Sequence, residues 1–252
     1  MRLNKQYIRN VLYLPLYFRL IFSVSYWIFV LWSEHMRPTD LPVVLRYLRK
    51  SIKSWPVPVV TAISYQRNPF MVLVSCLLSL RTRDEITDAA SKRLFILASS
   101  PKKLLGLDPE QVEEAIYPVA FYRDKTVRLY EICQSLIDEN EGKVPETLDQ
   151  LLRLKGVGRK TANLTLVLGH NRLGICVDIH VHRITNRWGY VQTNSPNETE
   201  AALKCKLPKR YWKEFNNLLV SFGQNICKPQ SPHCSKCEVL EYCKQTGVNR
   251  YR

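Results

Sequence analysis

One stretch decides the fold more than any other: Leu154-Lys155-Gly156-Val157-Gly158-Arg159-Lys160-Thr161-Ala162-Asn163. We expect a short helix before it, from Thr147 to Arg153, and a second helix after it that continues through Leu168. Two glycines one residue apart permit a tight turn between these helices, because glycine adopts backbone conformations that are closed to other residues. An ordinary helix–turn–helix connection is the simplest interpretation of this pattern.

The charge around this turn favours a phosphate ligand. Backbone N–H groups in a tight turn, together with the positive end of the following helix, form a suitable seat for an anion. Arg159 and Lys160 lie directly after the second glycine. Residues 151–190 contain seven Lys or Arg and a single acidic residue, Asp178. This surplus indicates a nucleic-acid backbone as the expected source of the phosphate.

From residue 40 onward the chain predicts helices and no strands. Residues 69–80 are apolar almost all round, as expected for a helix in the middle of a core, and residues 125–137 carry apolar side chains at helical spacing. Cap and proline signals mark further helix starts at Thr39 or Asp40 with Pro42, Thr82 to Glu85, Asp108-Pro109, Ser195 to Glu198, and Pro208. The predicted fold class is all-α.

The composition is that of a folded protein with a polyanionic partner. The chain has 252 residues, of which 46% are hydrophobic and 23% charged, and this mix excludes an intrinsically disordered protein. The length is sufficient for one large core or two small ones. The formal net charge of +15 favours nucleic acid as the partner, ahead of an acidic membrane surface.

Three interpretations fit residues 1–35. Residues 11–32 are mostly apolar but contain Pro15 and Arg19, so their longest uninterrupted stretch is shorter than the ~20 residues that a membrane-spanning helix needs. The segment is an extra packed or interfacial helix, a membrane anchor, or sequence upstream of a true start at Met36. Membrane contact by residues 11–32 is therefore left open.

Four of the eight cysteines cluster near the end of the chain with the spacing Cys-x6-Cys-x2-Cys-x5-Cys. They are Cys227, Cys234, Cys237 and Cys243. Four closely spaced thiolates fit either a tetrahedral zinc ion or a [4Fe–4S] cluster, and the spacing alone does not separate the two. The clustering indicates a metal site in a reducing intracellular compartment, the cytoplasm or the nucleus, and not a disulfide framework.

Lys160 and Asp178 are the candidate catalytic residues. Lys160 lies at the start of the second helix, where the positive end of the helix dipole favours a neutral amine. A neutral amine is a nucleophile that can form a Schiff base with a sugar aldehyde. Asp178 lies 18 residues further on, at the expected start of another helix, from which its carboxylate can face Lys160. A phosphate contact for Lys160 and a plain helix cap for Asp178 are the alternatives.

Three motifs in this order resemble the endonuclease III family of helix–hairpin–helix DNA glycosylases. The first is the glycine turn of residues 154–163, the second is Val177-Asp178-Ile179-His180-Val181-His182-Arg183, and the third is the terminal cysteine pattern. The resemblance spans roughly residues 40–247. It implies that the four C-terminal cysteines hold a [4Fe–4S] cluster as the cofactor.

The resemblance implies two helical domains with DNA in the cleft between them. We expect a cluster domain built from residues 36–61 and 173–252, and a six-helix domain from residues 62–172 with the helix–hairpin–helix at 147–168. Residues 1–35 form an extension outside both. The implied partner of the monomeric protein is double-stranded DNA with a damaged or missing base, which flips out of the duplex. No small-molecule substrate is expected.

The implied activity is base-excision repair of oxidised pyrimidines. Lys160 takes the position of the amine that attacks C1′ of the deoxyribose, displaces the base and cleaves the strand by β-elimination. Asp178 takes the position of the carboxylate that stabilises the developing sugar cation. The expected enzyme is therefore a bifunctional DNA glycosylase and abasic-site lyase. A DNA-binding protein that has lost turnover and a monofunctional mismatch glycosylase are the alternatives.

The resemblance also implies a set of DNA contacts. The hairpin contacts would come from Lys155, Gly156, Val157, Gly158, Arg159 and Thr161. His180 also fits the family, with a helix-packing histidine as its alternative. Arg81 would fill the hole that the flipped base leaves. Phe121 would act as a wedge between bases, or else as a core aromatic.

The chain departs from the family pattern at three places. Lys155 stands where the family usually has proline, which makes the turn less rigid but adds a charge that can touch a phosphate. Leu80-Arg81 occupies the two positions where the family generally has a glutamine, and Ala120 replaces a glycine before Phe121. These differences leave the lesion preference open.

Overall fold

The computed structural model describes residues 36–252, and every regular element in that part of the chain is helical. This confirms the predicted all-α fold class. The α-helices in chain order are α1 Leu41–Ser51, α2 Val59–Ser64, α3 Pro69–Ser79, α4 Asp84–Leu97, α5 Pro101–Leu105, α6 Pro109–Ile116, α7 Tyr122–Asn140, α8 Leu148–Arg153, α9 Arg159–Leu164, α10 Ile179–Arg187, α11 Pro196–Lys206 and α12 Trp212–Asn225. The π-helical turn Thr165–Gly169 continues α9, so the second hairpin helix extends through Leu168 as predicted.

The three interpretations of residues 1–35, including membrane contact by residues 11–32, lie outside the described residues. From residue 36 onward, no helix has both the length and the apolar character needed to span a membrane. Short 3₁₀ turns complete the described chain at Ile52–Ser54, Lys209–Tyr211, Cys234–Lys236 and Leu240–Tyr242.

Several helices begin where local side-chain chemistry predicts. Asp108 and Gln111 form a reciprocal capping box at the start of α6, with proline in the first turn. Thr147 caps α8, and Ser195 caps α11. Each of these side chains accepts from a backbone N–H that the first helical turn leaves without a partner.

The predicted capping box at Thr82 is wrong. Helix α4 begins at Asp84 with Arg83 at the cap position, and no side chain caps it. The Thr82 hydroxyl instead donates to the carbonyl of Leu80 at 3.3 Å and accepts from the N–H of Ala120 at 3.2 Å. The Thr82 hydroxyl is therefore engaged in a tertiary hydrogen bond with Ala120 and not in the helix cap that the local pattern predicts.

The described residues bury two large apolar cores. The first surrounds α3 and is covered by α4, α6, α7 and the hairpin. The second joins α1 to α10, α12 and the C-terminal segment, with Trp188 and Phe215 fully buried inside it. Helix α1 therefore packs against helices from the far end of the chain. The boundaries at residues 61/62 and 172/173 stay a prediction.

One buried carboxylate joins α11 to the hairpin helix. Glu200 is 4% exposed and accepts hydrogen bonds from three side chains. Arg159 donates through Nε and Nη2 at 3.0 and 3.1 Å, Asn163 donates at 3.0 Å, and Lys204 donates at 2.6 Å. Burial acts to raise the pKa of Glu200, but the hydrogen bonds from Arg159 and Lys204 outweigh it and leave that pKa below its ordinary value. Because Arg159 and Asn163 belong to α9, the network ties α9 to α11.

We predict that Glu200→Ala lowers the free energy of unfolding by about 2 kcal/mol, because the buried Asn163 amide and two cations lose their acceptor. Thermal unfolding followed by circular dichroism measures the loss. Glu146→Ala is the matched control, since this exposed carboxylate also pairs with an arginine, Arg172, and its removal leaves the midpoint nearly unchanged. Equal midpoints for the two variants would contradict the importance of the network.

Candidate active site

The hairpin depends on a glycine with a left-handed backbone. Gly156 has a φ of +81°, and a Cβ atom placed on it would lie 2.7 Å from Cδ of Arg128 in α7. Only glycine avoids both the backbone strain and this contact. Gly158 has an extended backbone, and a Cβ atom there meets nothing within 4 Å. The first glycine shapes the turn, and the second leaves an open approach to α9.

The backbone donors of the hairpin are partly engaged and partly available. The N–H of Val157 donates to the carbonyl of Leu154 at 3.0 Å, and the Val157 side chain is buried in the first core. Among residues 36–252, the N–H groups of Gly156 and Gly158 donate to no backbone acceptor. Thr161 is 3% exposed, so it can offer a ligand only its N–H in the first turn of α9. Val157 therefore anchors the turn, and its neighbours present the donors.

The charged side chains beside the glycines are already paired within the protein. Lys155 forms an ion pair with Glu131 of α7, and Arg159 is held by Glu200. Both cationic side chains remain accessible, with exposed fractions of 67% and 44%. Arg128 is a further cation at the hairpin. Sequence reasoning missed it, because only the packing of α7 against Gly156 brings it there.

The structure brings Lys160 and Asp178 together. Nζ of Lys160 lies 4.0 Å from Oδ2 of Asp178, which is within ion-pair range and too far for a hydrogen bond. The Asp178 side chain is 6% exposed, whereas the Lys160 side chain is 42% exposed. A solvent-accessible amine therefore faces a buried carboxylate.

The start of α10 holds the Asp178 carboxylate. Its Oδ1 accepts hydrogen bonds from the N–H groups of His180 and Val181, both at 2.9 Å. Asp178 is therefore an N-cap, as the sequence allowed, and the positive end of α10 stabilises its charge. Because the cap uses Oδ1, the other oxygen can face Lys160.

His180 lies beside this pair, and its Nδ1 is engaged within the protein. Nη2 of Arg183 lies 3.1 Å from this nitrogen. A Cβ atom on Gly223 would come within 2.4 Å of it, so the glycine makes room for the imidazole. Burial lowers the pKa of His180 and outweighs the opposing effect of Asp178, so the imidazole is neutral at neutral pH. Its contact with DNA stays a prediction.

Arg81 and Phe121 meet at the tips of two neighbouring loops. The guanidinium carbon of Arg81 lies 5.4 Å from the centre of the Phe121 ring, a cation–π distance. Both residues have left-handed backbones with φ of +58°, which is uncommon for residues other than glycine. Phe121 is 57% exposed, so it is not a core aromatic. Strained backbone at exposed tips is typical of functional positions.

The four C-terminal cysteines line one small pocket. Its other walls include the apolar side chains of Trp188, Phe222, Ile226 and Leu240. Arg187 donates to Sγ of Cys227 at 3.3 Å, and the N–H of Gln245 donates to Sγ of Cys243 at 3.4 Å. Hydrogen-bond donors to sulfur are typical of the surroundings of thiolate ligands to a metal.

These thiols line the pocket without converging on a single point. Within residues 36–252, no three His, Cys, Asp or Glu side chains are arranged to share one metal ion. Burial raises the pKa of Cys237 to about 11 and that of Cys243 to about 12. Binding of a metal therefore has to displace their protons. Four sulfurs in apolar surroundings, two of them with N–H donors, fit an iron–sulfur cluster, which takes cysteine ligands.

Comparison with known proteins assigns this architecture to a family. The model of the HhH-GPD superfamily of base excision DNA repair proteins matches residues 74–209, which include the hairpin and Asp178. Endonuclease III of Thermotoga maritima is 46% identical over 179 residues, which is 71% of this chain and 84% of that protein. The chain belongs to the endonuclease III family.

Further comparisons agree with this family. The chloroplastic endonuclease III homolog 2 of Arabidopsis thaliana is 44% identical over 183 residues, 69% of this chain but 47% of that longer protein. The solved structure of a trapped endonuclease III–DNA covalent intermediate matches with a TM-score of 0.74 and 31% identity, and the match covers 83% of this chain and 97% of that one. The resemblance to the endonuclease III family that the three motifs indicate is confirmed.

We predict that Gly156→Ala lowers the free energy of unfolding of this endonuclease III family member by about 2 kcal/mol, through backbone strain and the contact with Arg128. Gly158→Ala is the matched control, two residues away, and changes stability by no more than about 0.5 kcal/mol because its Cβ meets open space. Urea unfolding of both variants measures the difference. Equal losses in the two variants would show that the left-handed turn is not what holds the hairpin.

Proposed function

We propose that the protein removes oxidised pyrimidines from duplex DNA and cleaves the resulting abasic strand by β-elimination. The observation that carries this proposal is the 4.0 Å separation between Nζ of Lys160 and Oδ2 of Asp178, beside the glycine hairpin. A lysine alone fits a phosphate contact. An accessible amine that faces a buried carboxylate fits nucleophilic catalysis at a carbon that develops positive charge.

The glycosylase step uses the two side chains together. The amine of Lys160 attacks C1′, the bond between C1′ and the base breaks, and the base leaves with the bonding electrons and takes up a proton from water. The carboxylate of Asp178 stabilises the positive charge on the sugar while that bond breaks. It also accepts the proton that the attacking amine loses. The C1′–O4′ bond of the sugar ring then breaks, O4′ takes the proton held by Asp178, and a Schiff base forms between Lys160 and C1′.

The lyase step follows from the Schiff base. Water takes a proton from C2′, and the electrons of that C–H bond form an enamine with the iminium. The enamine electrons then form the C2′=C3′ double bond, and the C3′–O bond breaks so that the phosphate leaves with the electrons of that bond. Hydrolysis of the remaining Schiff base returns the amine of Lys160. The accessible side chain of Lys160, 42% exposed, supports this exchange with water.

We propose that the hairpin binds the DNA backbone. The N–H groups of Gly156, Gly158 and the first turn of α9 would donate to phosphate oxygens, as helix starts commonly do. Lys155, Arg159 and Arg128 add positive charge beside them. The solved complex of a related endonuclease III with DNA supports duplex DNA as the partner. Val157 and Thr161 support this contact mainly by stabilising the conformation of the hairpin.

Arg81 and Phe121 are proposed to enter the duplex where the damaged base leaves it. Their exposed, mutually stacked side chains supply a cation and a flat apolar ring, which suit the space between stacked bases. Arg81 would fill the hole opposite the orphaned base, and Phe121 would separate the neighbouring pairs. The flipped nucleotide would then reach Lys160.

We propose that the four C-terminal cysteines hold a [4Fe–4S] cluster. The ligands would be Cys227, Cys234, Cys237 and Cys243. When bound, the cluster would supply a rigid crosslink of the C-terminal segment. Its role would be structural, because the reaction needs no electron transfer. The apolar pocket and the Arg187 donor to Cys227 support this assignment.

Borohydride trapping tests the proposed roles of Lys160 and Asp178. The wild type forms a covalent adduct with duplex DNA that carries an oxidised pyrimidine, and Lys160→Ala forms none because no amine remains to attack C1′. Asp178→Asn keeps the oxygen that caps α10 but loses the charge, so trapping slows by about 100-fold or more. Lys92→Ala, an exposed lysine paired with Asp88, is the control that keeps the adduct.

Three results would decide against this proposal. An undiminished adduct in Lys160→Ala would exclude Lys160 as the nucleophile. Duplex binding without base release or adduct would favour the DNA-binding protein that has lost turnover. Base release without any adduct would favour the monofunctional glycosylase.

The cluster assignment predicts a brown protein with about four iron and four sulfide per chain. Cys237→Ser should lose iron and lower the thermal midpoint, because one of the four ligands is removed. Cys205→Ser, at the exposed free cysteine of α11, should keep the full iron content. A colourless wild-type protein with one bound zinc would contradict the cluster.

A further inference from the structure

The loops that carry Arg81 and Phe121 are joined by a network beneath their tips. The ammonium of Lys125, in the first turn of α7, donates to the carbonyls of Leu78 and Leu80 at 2.8 and 2.7 Å. It also lies 3.4 Å from the Thr82 hydroxyl, which it reaches as a third acceptor. The lysine thus closes the turn that directs Arg81 outward.

The same network reaches the loop that carries Phe121. The Thr82 hydroxyl accepts from the N–H of Ala120, the residue before Phe121. The N–H of Lys125 donates to the carbonyl of Phe121 at 2.9 Å. One lysine therefore contacts both sides of the stacked pair: the Arg81 turn through its ammonium and Phe121 through its backbone.

The surroundings of the Lys125 ammonium are unusual for a charged side chain. Its three acceptors are uncharged oxygens, and burial lowers the pKa of its ammonium to about 8. A small pocket beside it is lined by Leu80, Asp124, Arg128 and the hairpin residue Gly156. A half-buried cation is costly to desolvate, so its hydrogen bonds to the Arg81 turn have to offset that cost.

We propose that Lys125 is a positioning residue that holds Arg81 and Phe121 as one stacked unit for insertion into the duplex. This inference rests on the proposed function, in which that pair enters the space of the flipped base. Without the ammonium, the Arg81 turn loses its hydrogen bonds to α7. Its link to the Phe121 loop is then reduced to the bond between the Thr82 hydroxyl and the Ala120 N–H, so the two side chains move more freely relative to each other. Inserting the pair into the duplex then requires both side chains to become ordered on binding, which weakens binding. In the wild type, the conformational entropy of these side chains has already been lost on folding.

Insertion can be measured without any chemical step on a duplex that carries a stable abasic analogue. The base opposite the analogue is 2-aminopurine, and its fluorescence rises when it is unstacked. The wild type should raise the fluorescence on binding. Lys125→Met, which keeps the aliphatic stem and removes the donors, should give the small rise expected of the Arg81→Ala/Phe121→Ala double variant. Lys125→Arg should recover part of the signal, and Lys143→Met, at an exposed lysine three residues beyond the end of α7, should match the wild type.

Two substrates, a duplex with an oxidised base and an abasic single strand, separate loss of positioning from general damage to the protein. On duplex DNA with an oxidised pyrimidine, Lys125→Met should slow base release by about tenfold or more, the scale expected for a misplaced contact. On a single-stranded abasic oligonucleotide, which needs no insertion, its borohydride trapping should equal that of the wild type. Circular dichroism confirms that the variant is folded.

Each outcome decides the inference. Wild-type fluorescence with Lys125→Met, or no rise with the wild type itself, would overturn it. An equal loss on duplex and single strand would also overturn it, since that result indicates damage to the fold. A fluorescence rise without any borohydride adduct in the wild type would sink the proposed chemistry and leave the positioning role of Lys125 supported by the binding signal.

Discussion

Two helix starts meet at the junction of two cores and bring the proposed catalytic pair together. Helix α9 brings Lys160 from the first core, and α10 brings Asp178 from the second, so that Nζ and Oδ2 lie 4.0 Å apart. The carboxylate is buried but stable, because two N–H groups of α10 hold its other oxygen. A small shift of α9 against α10 would change this separation directly. The packing around the two helices therefore determines whether the amine and the carboxylate act together.

Helix α7 supports the hairpin and the loops of Arg81 and Phe121 from behind. Lys125, Arg128 and Glu131 follow at intervals of three along α7 and so share one face of the helix. Along this face, the first contacts the turn of Arg81, the second lies against Gly156, and the third pairs with Lys155. The proposed wedge and the hairpin therefore rest on one rigid element. Glu200 provides the corresponding support from the other core by holding α9.

Much of the fold and the centre of the site could be predicted from the sequence because their signals are local. Capping residues and first-turn prolines mark helix starts, and the Gly156-Val157-Gly158 turn marks the hairpin. Lys160 and Asp178 stand at recognisable helix starts in a basic stretch, which is why they could be named together. The 4.0 Å separation in the structure confirms that they are neighbours and leaves their roles as proposals.

What the sequence did not predict depends on tertiary packing. Lys125 and Arg128 are ordinary cations on a polar helix until α7 packs beneath two loops, and no periodicity marks them. In the sequence Glu200 resembles an acidic residue on a helix surface, and the three donors around its carboxylate become evident only in the folded structure. Thr82 matches a capping pattern, but the Ala120 N–H competes for its hydroxyl. In each case the deciding partner is distant in sequence or belongs to another element.

The proposed chemistry depends on the amine of Lys160 as the group that bonds to the sugar. Peptide mapping of the borohydride-reduced adduct by mass spectrometry tests it most directly, because it identifies the modified residue in the unaltered protein. We expect the deoxyribose remnant to be attached to Lys160. A remnant on Lys155, on Lys125 or on the N-terminal amine would contradict it.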